Sequence, residues 1–87
     1  MDRSEIVARI KAFTLRELLR NPSYELKEDE PLFSSGMIDS FAMAQIGVFI
    51  ETEFNLYLPD PELTIENMDT VAQIADRVSQ GLNSGSR

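Results

Sequence analysis

The chain of 87 residues is 43% hydrophobic and 26% charged, a composition typical of one small globular domain with a modest core. Its formal net charge of −7 disfavours nucleic acid and anionic membranes as partners and favours basic protein surfaces. Because the sequence contains no His and no Cys, it excludes imidazole acid–base chemistry, thiol nucleophiles, and imidazole or thiolate metal sites.

Membrane, targeting and metal signals are also missing from the sequence. No apolar run approaches the ~20 residues of a membrane helix, and no basic-then-apolar leader precedes a small-residue cleavage site. We therefore expect a soluble, cytoplasmic protein. The acidic stretch DPELTIENMDT lacks the ligand spacing of a calcium loop, so we expect no metal site.

The first predicted helix covers SEIVARIKAFTLRELLR, with Asp2 or Ser4 as its N-cap. Its apolar residues recur on one stripe, formed by Ile6, Val7, Ile10, Phe13 and Leu18. Leu15 and Leu19 lie off this stripe, which indicates that they contact loop residues as well as helices. Pro22 should end the helix, because proline cannot continue the hydrogen-bond ladder.

A long connection is predicted over residues 21–39, where no periodicity is visible. It exceeds the usual loop length, so we expect it to be functional. Pro31 and Gly36 should supply its turns. Its spaced apolar residues should hold it across the ends of the helices, and these are Tyr24, Leu26, Leu32, Phe33 and Ile38.

The second predicted helix covers residues 40–54, and a short helical turn is predicted at residues 64–68. Asn55 should cap the second helix in the left-handed conformation, and Pro59 should prevent its continuation. Ile65 and Met68 are expected to close the end of the bundle. The core face of the second helix is predicted to consist of Ala42, Met43, Ile46, Phe49, Ile50 and Phe54.

The last predicted helix covers DTVAQIADRVSQG, with Asp69 or Thr70 as its N-cap and Gly81 as its C-terminal stop. Its predicted core positions are Val71, Ile74, Ala75 and Val78. We expect residues 1–82 to form the domain and residues 83–87 to form a flexible or vector-derived tail.

The pair Asp39-Ser40 precedes the second helix and has two interpretations. Either residue can simply cap the helix, because a side-chain oxygen at this position accepts an amide hydrogen bond worth about 1 kcal/mol. Alternatively, Ser40 presents its hydroxyl for chemistry, and the same pair can also serve both roles.

The order of the segments LFSSGMIDSF, ETEF, LYLPD and TVAQIADRV resembles that of acyl and peptidyl carrier proteins. The resemblance covers about Ile6 to Val78. GMIDSF matches the family pattern of a glycine followed by Asp-Ser-Leu, except that Phe41 replaces the usual leucine. The resemblance implies an all-α fold, a four-helix bundle of the acyl-carrier type with a long first loop and a short third helix.

In that family the serine of the motif, here Ser40, receives 4'-phosphopantetheine from coenzyme A through a magnesium-dependent transferase. Asp39 would support this attachment. A phosphodiester at Ser40 would also lie near the positive end of the helix dipole. The resemblance thus implies a monomeric, non-catalytic carrier of thioesters, which works with a phosphopantetheinyl transferase, an adenylating or acyl-loading enzyme, and downstream tailoring or condensing enzymes.

Phe41 lies almost opposite the core direction of the second helix, and Ala44 and Val48 follow it at i+3 and i+7. We interpret this outward stripe, together with the neighbouring Gln45, as a docking surface for partner enzymes. The alternative is that the long loop folds over it.

The pathway is inferred from the charges on the second helix. Carriers of fatty acid synthesis typically have acidic residues in its first half, whereas here Glu51 and Glu53 come only near its end. The sequence is more similar to free-standing carriers of nonribosomal peptide or polyketide pathways. Two alternatives stay open: a fatty acid synthesis carrier, and a small helical interaction module that is never modified.

Overall fold

A computed structural model describes residues 1–84 of the chain. Within that range the secondary structure is helical and contains no strand. The elements are α1 (Arg3–Phe13), a π turn (Thr14–Leu18), α2 (Phe41–Phe54), a 3-10 turn (Asp60–Glu62), α3 (Ile65–Met68) and α4 (Val71–Ser84). The predicted all-α bundle with a long first loop and a short third helix is confirmed.

One hydrophobic core joins the four helices and the long loop. Helix α1 packs chiefly on α4, and α4 also contacts α2 and α3. The loop contributes Leu26, Leu32, Phe33 and Ile38, all buried as predicted. Tyr24 is exposed instead, because its hydroxyl donates to the Glu30 carboxylate at the surface.

Helix α1 begins as predicted, since Asp2 Oδ1 accepts a hydrogen bond from Glu5 N at 3.0 Å. Its α-helical part ends at Phe13, so the prediction of one uninterrupted helix to residue 20 is wrong. Buried Thr14 donates its hydroxyl to Ile10 O at 2.8 Å, and Thr14 O accepts from Leu19 N at 2.8 Å, five residues on. This wider turn changes the phase of the helix, so that Leu15 and Leu19 pack against the core.

Between the end of α2 and the end of α3, the structure confirms two of the predicted features. Asn55 caps α2 in the left-handed conformation, with φ at 55°, and Met68 is fully buried. The expectation that Ile65 closes the bundle is wrong, because its side chain is 44% exposed. A four-residue helix presents only one face to the core, and Met68 occupies that face.

Helix α4 begins with a reciprocal cap. Thr70 Oγ1 accepts from Gln73 N at 3.1 Å, and Gln73 Oε1 accepts from Thr70 N at 3.2 Å. At its other end, the prediction that Gly81 stops the helix is wrong, since α4 continues to Ser84. Residues 83 and 84 are therefore helical, and the rest of the expected tail, residues 85–87, lies outside the described residues.

Gly81 has a packing role rather than a terminating one. A Cβ added there would lie 2.6 Å from Leu56 Cδ2, so the missing side chain gives Leu56 room against α4. This contact anchors the segment after α2. Leu58, two residues further along the segment, is buried as well.

Candidate functional site

At the start of α2, Asp39 caps the helix and Ser40 presents a free hydroxyl. Asp39 Oδ1 accepts a hydrogen bond from Phe41 N at 3.1 Å, and Asp39 O accepts from Ala42 N at 3.0 Å. Ser40 is exposed, has the helical backbone conformation and makes no side-chain capping bond. Its Oγ therefore has no hydrogen-bond partner among residues 1–84 and is exposed to solvent at the N-terminus of α2.

The loop before this site is held by Asp69, at the junction of α3 and α4. Asp69 Oδ1 accepts from Phe33 N at 2.8 Å and from Ser34 N at 3.0 Å, while Oδ2 accepts from Ser34 Oγ at 2.5 Å. Burial alone would raise the pKa of Asp69, but the hydrogen bonds from Ser34, Phe33 and Leu32 together lower it below its ordinary value. The carboxylate is thus the form that holds the loop.

Further hydrogen bonds within the loop connect Asp69 to the segment that precedes Ser40. Leu32 N donates to Asp69 O at 2.7 Å, and Ile38 N donates to Leu32 O at 3.0 Å. Gly36 makes the intervening turn with φ at 84°, a left-handed conformation that suits glycine. Buried Ile38 then fixes the chain one residue before Asp39, so Ser40 follows a backbone segment that is hydrogen-bonded to the start of α4.

The outward face of α2 is open. Phe41 is 82% exposed and Val48 is 64% exposed, and Ala44 and Gln45 between them are exposed as well. The long loop does not cover these residues, so the predicted outward orientation is confirmed. No acidic residue lies in the first turn of α2, and Glu53 near its end is paired with Arg9 at 2.7 Å.

A family model described as a phosphopantetheine attachment site matches residues 12–78. The chain belongs to the family of acyl and peptidyl carriers. Such carriers hold 4'-phosphopantetheine covalently on a serine, and they are generally non-catalytic domains that act with a phosphopantetheinyl transferase and partner enzymes. Among curated proteins, none matches the sequence.

The carrier has four serines within the matched range: Ser23, Ser34, Ser35 and Ser40. The Ser34 hydroxyl donates to Asp69, and the Ser35 hydroxyl donates to Pro31 O at 2.6 Å. Ser23 lies in the surface turn after α1, away from any helix start. Of the four, Ser40 alone combines an exposed, unbonded hydroxyl with the first turn of a helix.

The sequence did not predict the stack of two aromatic rings, Phe13 and Phe49, between α1 and α2. Phe49 was predicted as a core residue, but it is only half-buried and stacks on Phe13, with ring centroids 4.2 Å apart. Both residues were assigned to core stripes of their own helices. The stack joins residues of two separate helices, so the periodicity of either helix alone does not reveal it.

The anchor at Asp69 was also missed, because this residue was expected as a possible N-cap of α4. Thr70 performs that role, which leaves the Asp69 carboxylate free to bind the loop. The sequence does contain one indication of this anchor: a threonine that can cap α4 directly follows Asp69, so the carboxylate is available for another partner. None of the helices within residues 1–84 of the carrier is long and apolar enough to cross a membrane.

Proposed function

We propose that Ser40 is the serine that carries the phosphopantetheine arm. The observation that carries the proposal is its exposed hydroxyl, which has no hydrogen-bond partner within residues 1–84 and lies at the start of α2. Folding does not use this hydroxyl, since Asp39 caps the helix instead. The hydroxyl is therefore accessible to a transferase without loss of a native contact.

The attachment transfers the phosphopantetheinyl group of coenzyme A to Ser40 by substitution at phosphorus. Ser40 Oγ forms a bond to the β-phosphorus of coenzyme A, the bond from that phosphorus to the bridging oxygen breaks, and 3',5'-adenosine diphosphate leaves while the transferase removes the hydroxyl proton. The negative phosphodiester then lies at the N-terminus of α2, where the helix dipole stabilises it by about 0.3 to 1 kcal/mol. Once attached, the group supplies a thiol that this cysteine-free chain lacks.

Asp39 supports the attachment from the neighbouring position. Its carboxylate is exposed while one oxygen, Oδ1, accepts the Phe41 amide hydrogen. The other oxygen, Oδ2, has no hydrogen-bond partner within residues 1–84, so it is free to bind the metal ion or a basic residue of the transferase.

The docking surface for partner enzymes consists of Phe41, Ala44, Gln45 and Val48. Phe41 is the largest exposed apolar side chain of the four and lies directly after Ser40. Burying it against a partner would contribute about 1.5 to 3 kcal/mol, a ten- to hundred-fold gain in affinity. That scale suits a carrier that must bind and leave several enzymes in turn.

An apolar docking surface favours a specialised pathway over fatty acid synthesis. The first turns of α2 carry no acid, and of the two late acids Glu53 is already paired with Arg9. We therefore propose a carrier of acyl or aminoacyl thioesters in a nonribosomal peptide or polyketide type pathway, loaded by an adenylating or acyl-loading enzyme.

Intact mass spectrometry tests the attachment site. Incubation with coenzyme A, magnesium and a broad-specificity phosphopantetheinyl transferase should add one arm to the wild-type protein and to Ser23→Ala, the matched control for an exposed serine. Ser40→Ala should gain no mass while keeping its helical circular dichroism. An unchanged mass of folded wild-type protein would instead favour the unmodified interaction module.

A further inference from the structure

Arg20 differs from the other arginines of the carrier because no carboxylate pairs with it. Four more arginines lie within residues 1–84, and each of them forms an ion pair: Arg3, Arg9, Arg16 and Arg77. Arg20 is exposed and forms none in the same range. In a protein with a formal net charge of −7, an unpaired cation is available to an acidic group of another molecule.

The backbone of Arg20 has a conformation that favours glycine. Its φ is 54°, in the left-handed region, and the chain leaves the π turn there, where Asn21 N donates to Leu15 O at 2.8 Å. A side chain at such a position destabilises the fold relative to glycine. Since neither the backbone nor an ion pair of the described chain requires an arginine here, its side chain is available for binding.

Arg20 lies on the wall of a cavity of about 450 Å³ beside Ser40. Asp39 and Phe41, the two residues that flank Ser40, line the same cavity. The Asp39 carboxylate has the opposite charge, yet the two side chains form no ion pair with each other. A protein that docks here can satisfy both groups, with a basic side chain at Asp39 and an acidic one at Arg20.

The two sides of the docking surface carry opposite unpaired charges. On the side towards α3, Glu51 and Asp60 line a cavity, and neither acid forms an ion pair within residues 1–84. On the side towards α1, Glu17 is already paired with Arg16 at 3.3 Å, which leaves Arg20 as the unpaired cation. An enzyme over this surface therefore meets a positive edge and a negative edge, which favours one orientation of docking.

We infer that Arg20 selects the enzyme that acts on Ser40, because it pairs with a carboxylate of that enzyme and repels a basic side chain at the same position. The inference rests on the proposed attachment at Ser40. Arg20 is a specificity-determining residue, since it contacts the enzyme and not the reacting phosphorus. Basic enzyme surfaces are thus accepted over the acidic side of α2 and rejected at the α1 edge.

The kinetics of arm transfer by a broad-specificity phosphopantetheinyl transferase test this role. Arg20→Glu should raise the KM for the carrier about ten-fold and leave kcat nearly unchanged, because the charge acts on docking. Lys27→Glu is the matched control: Lys27 is another exposed cation without an ion pair in the described chain, it lies outside the cavity, and the change in net charge is the same. Its KM should stay near the wild-type value.

Arg20→Gly separates binding from folding. Glycine suits the left-handed backbone, so this variant should unfold at the wild-type temperature or above it, while its KM for transfer rises about three-fold. A rise in KM that comes with a lower unfolding temperature would indicate a structural role and overturn the inference.

Arg20→Lys identifies the group that pairs with this position. The variant keeps the positive charge and introduces an amine, which a carbodiimide joins to a nearby carboxylate as an amide. Treatment of the variant together with the transferase, followed by peptide mass spectrometry, should show a bond from position 20 to an Asp or Glu of the enzyme. Bonds to carboxylates of the carrier alone would overturn the pairing.

These experiments distinguish the failure of one proposal from the failure of the other. If Arg20→Glu and Lys27→Glu have equal KM values and both gain the arm, the role of Arg20 is wrong and the attachment at Ser40 stands. If the folded wild-type protein gains no arm, both proposals are wrong.

Discussion

At the scale of single residues, the site depends on a carboxylate that lies far from it in the sequence. Asp69 accepts hydrogen bonds from Phe33 and Ser34, and the hydrogen-bonded loop then leads to Ile38, directly before Asp39. Since the hydrogen bonds together lower its pKa, the ionised form contributes stability to the folded state. The position of Ser40 is therefore coupled to the ionisation of a residue at the start of α4.

Asp69→Ala is expected to lower the free energy of unfolding by about 2 to 3 kcal/mol, because it leaves the amides of Phe33 and Ser34 without their charged acceptor. Urea denaturation at pH 7 would measure the loss. Asp76→Ala serves as the control, since it removes an equally charged group whose ion pair with Arg3 is exposed. That change should cost less than about 1 kcal/mol.

The difference in stability between wild type and Asp69→Ala should depend on pH. A folded-state pKa below the unfolded value of about 3.9 means that the contribution is fully present above that value and is lost as pH falls through the folded pKa. Denaturation curves at pH 7, 5, 4 and 3 should show the two proteins converging at the acid end. A gap that stays constant over this range would contradict the charged anchor.

Phe41→Asp is expected to weaken docking and leave folding intact, because the side chain is 82% exposed. The ratio kcat/KM for arm transfer by the transferase should fall ten- to hundred-fold, in line with the apolar area no longer buried. Tyr57→Asp, which changes another exposed aromatic residue outside α2, should have little effect. Equal losses for both variants would indicate a general charge effect instead of a docking surface.

Among the secondary-structure elements, α4 and α1 each contain a feature that helical periodicity does not indicate. Helix α4 runs through Gly81, and Leu56 occupies the space of the missing side chain. Likewise, α1 opens into a π turn at Thr14, which allows Leu15 and Leu19 to reach the core. The first feature is a tertiary contact and the second follows from local hydrogen bonds of Thr14, and helical periodicity alone indicates neither.

A double-mutant cycle at Gly81 and Leu56 measures this contact. Alanine favours a helix interior over glycine by up to about 1 kcal/mol, but in the wild-type background its Cβ must displace Leu56. We expect Gly81→Ala to stabilise the protein more in a Leu56→Ala background than in wild type. Thermal unfolding of the four proteins supplies the coupling energy, and additive changes would show that Leu56 does not restrict position 81.

The sequence was sufficient to predict the presence of the helices, the long loop and the exposed hydroxyl, but not where α1 and α4 end. Periodicity placed the buried faces of α2 and α4, and the misfit of Phe41 with the core of α2 correctly indicated an outward side chain. Features that depend on two distant segments were not predictable in this way. The Asp69 anchor and the Phe13–Phe49 stack each need the tertiary arrangement to bring their partners together.

At the scale of the whole molecule, negative charge is spread over a small body. Of the fifteen acidic groups, six form ion pairs, and the other nine have none within residues 1–84. The molecule measures 37 × 25 × 20 Å, comparable to the Debye length of about 30 Å at 0.01 M salt. At low salt each charge therefore acts on most of the others.

The melting temperature should rise between 0.01 and 0.3 M sodium chloride, because screening weakens a net repulsion that exceeds the small contribution of exposed ion pairs. Differential scanning calorimetry would measure the change. The double variant Glu51→Gln, Glu66→Gln removes two acids without ion pairs, so it should be more stable at low salt and gain less from added salt. A melting temperature that falls with salt would mean that the ion pairs dominate.

The division of roles at Asp39 and Ser40 has a consequence for how the protein is maintained in a cell. Since the hydrogen bond that starts α2 comes from Asp39, no atom of the Ser40 side chain is required for folding. We therefore expect the unmodified protein and a form that carries the proposed arm on Ser40 to differ in folded stability by no more than about 1 kcal/mol. Proteases that recognise unfolded chains should then degrade the two forms at similar rates.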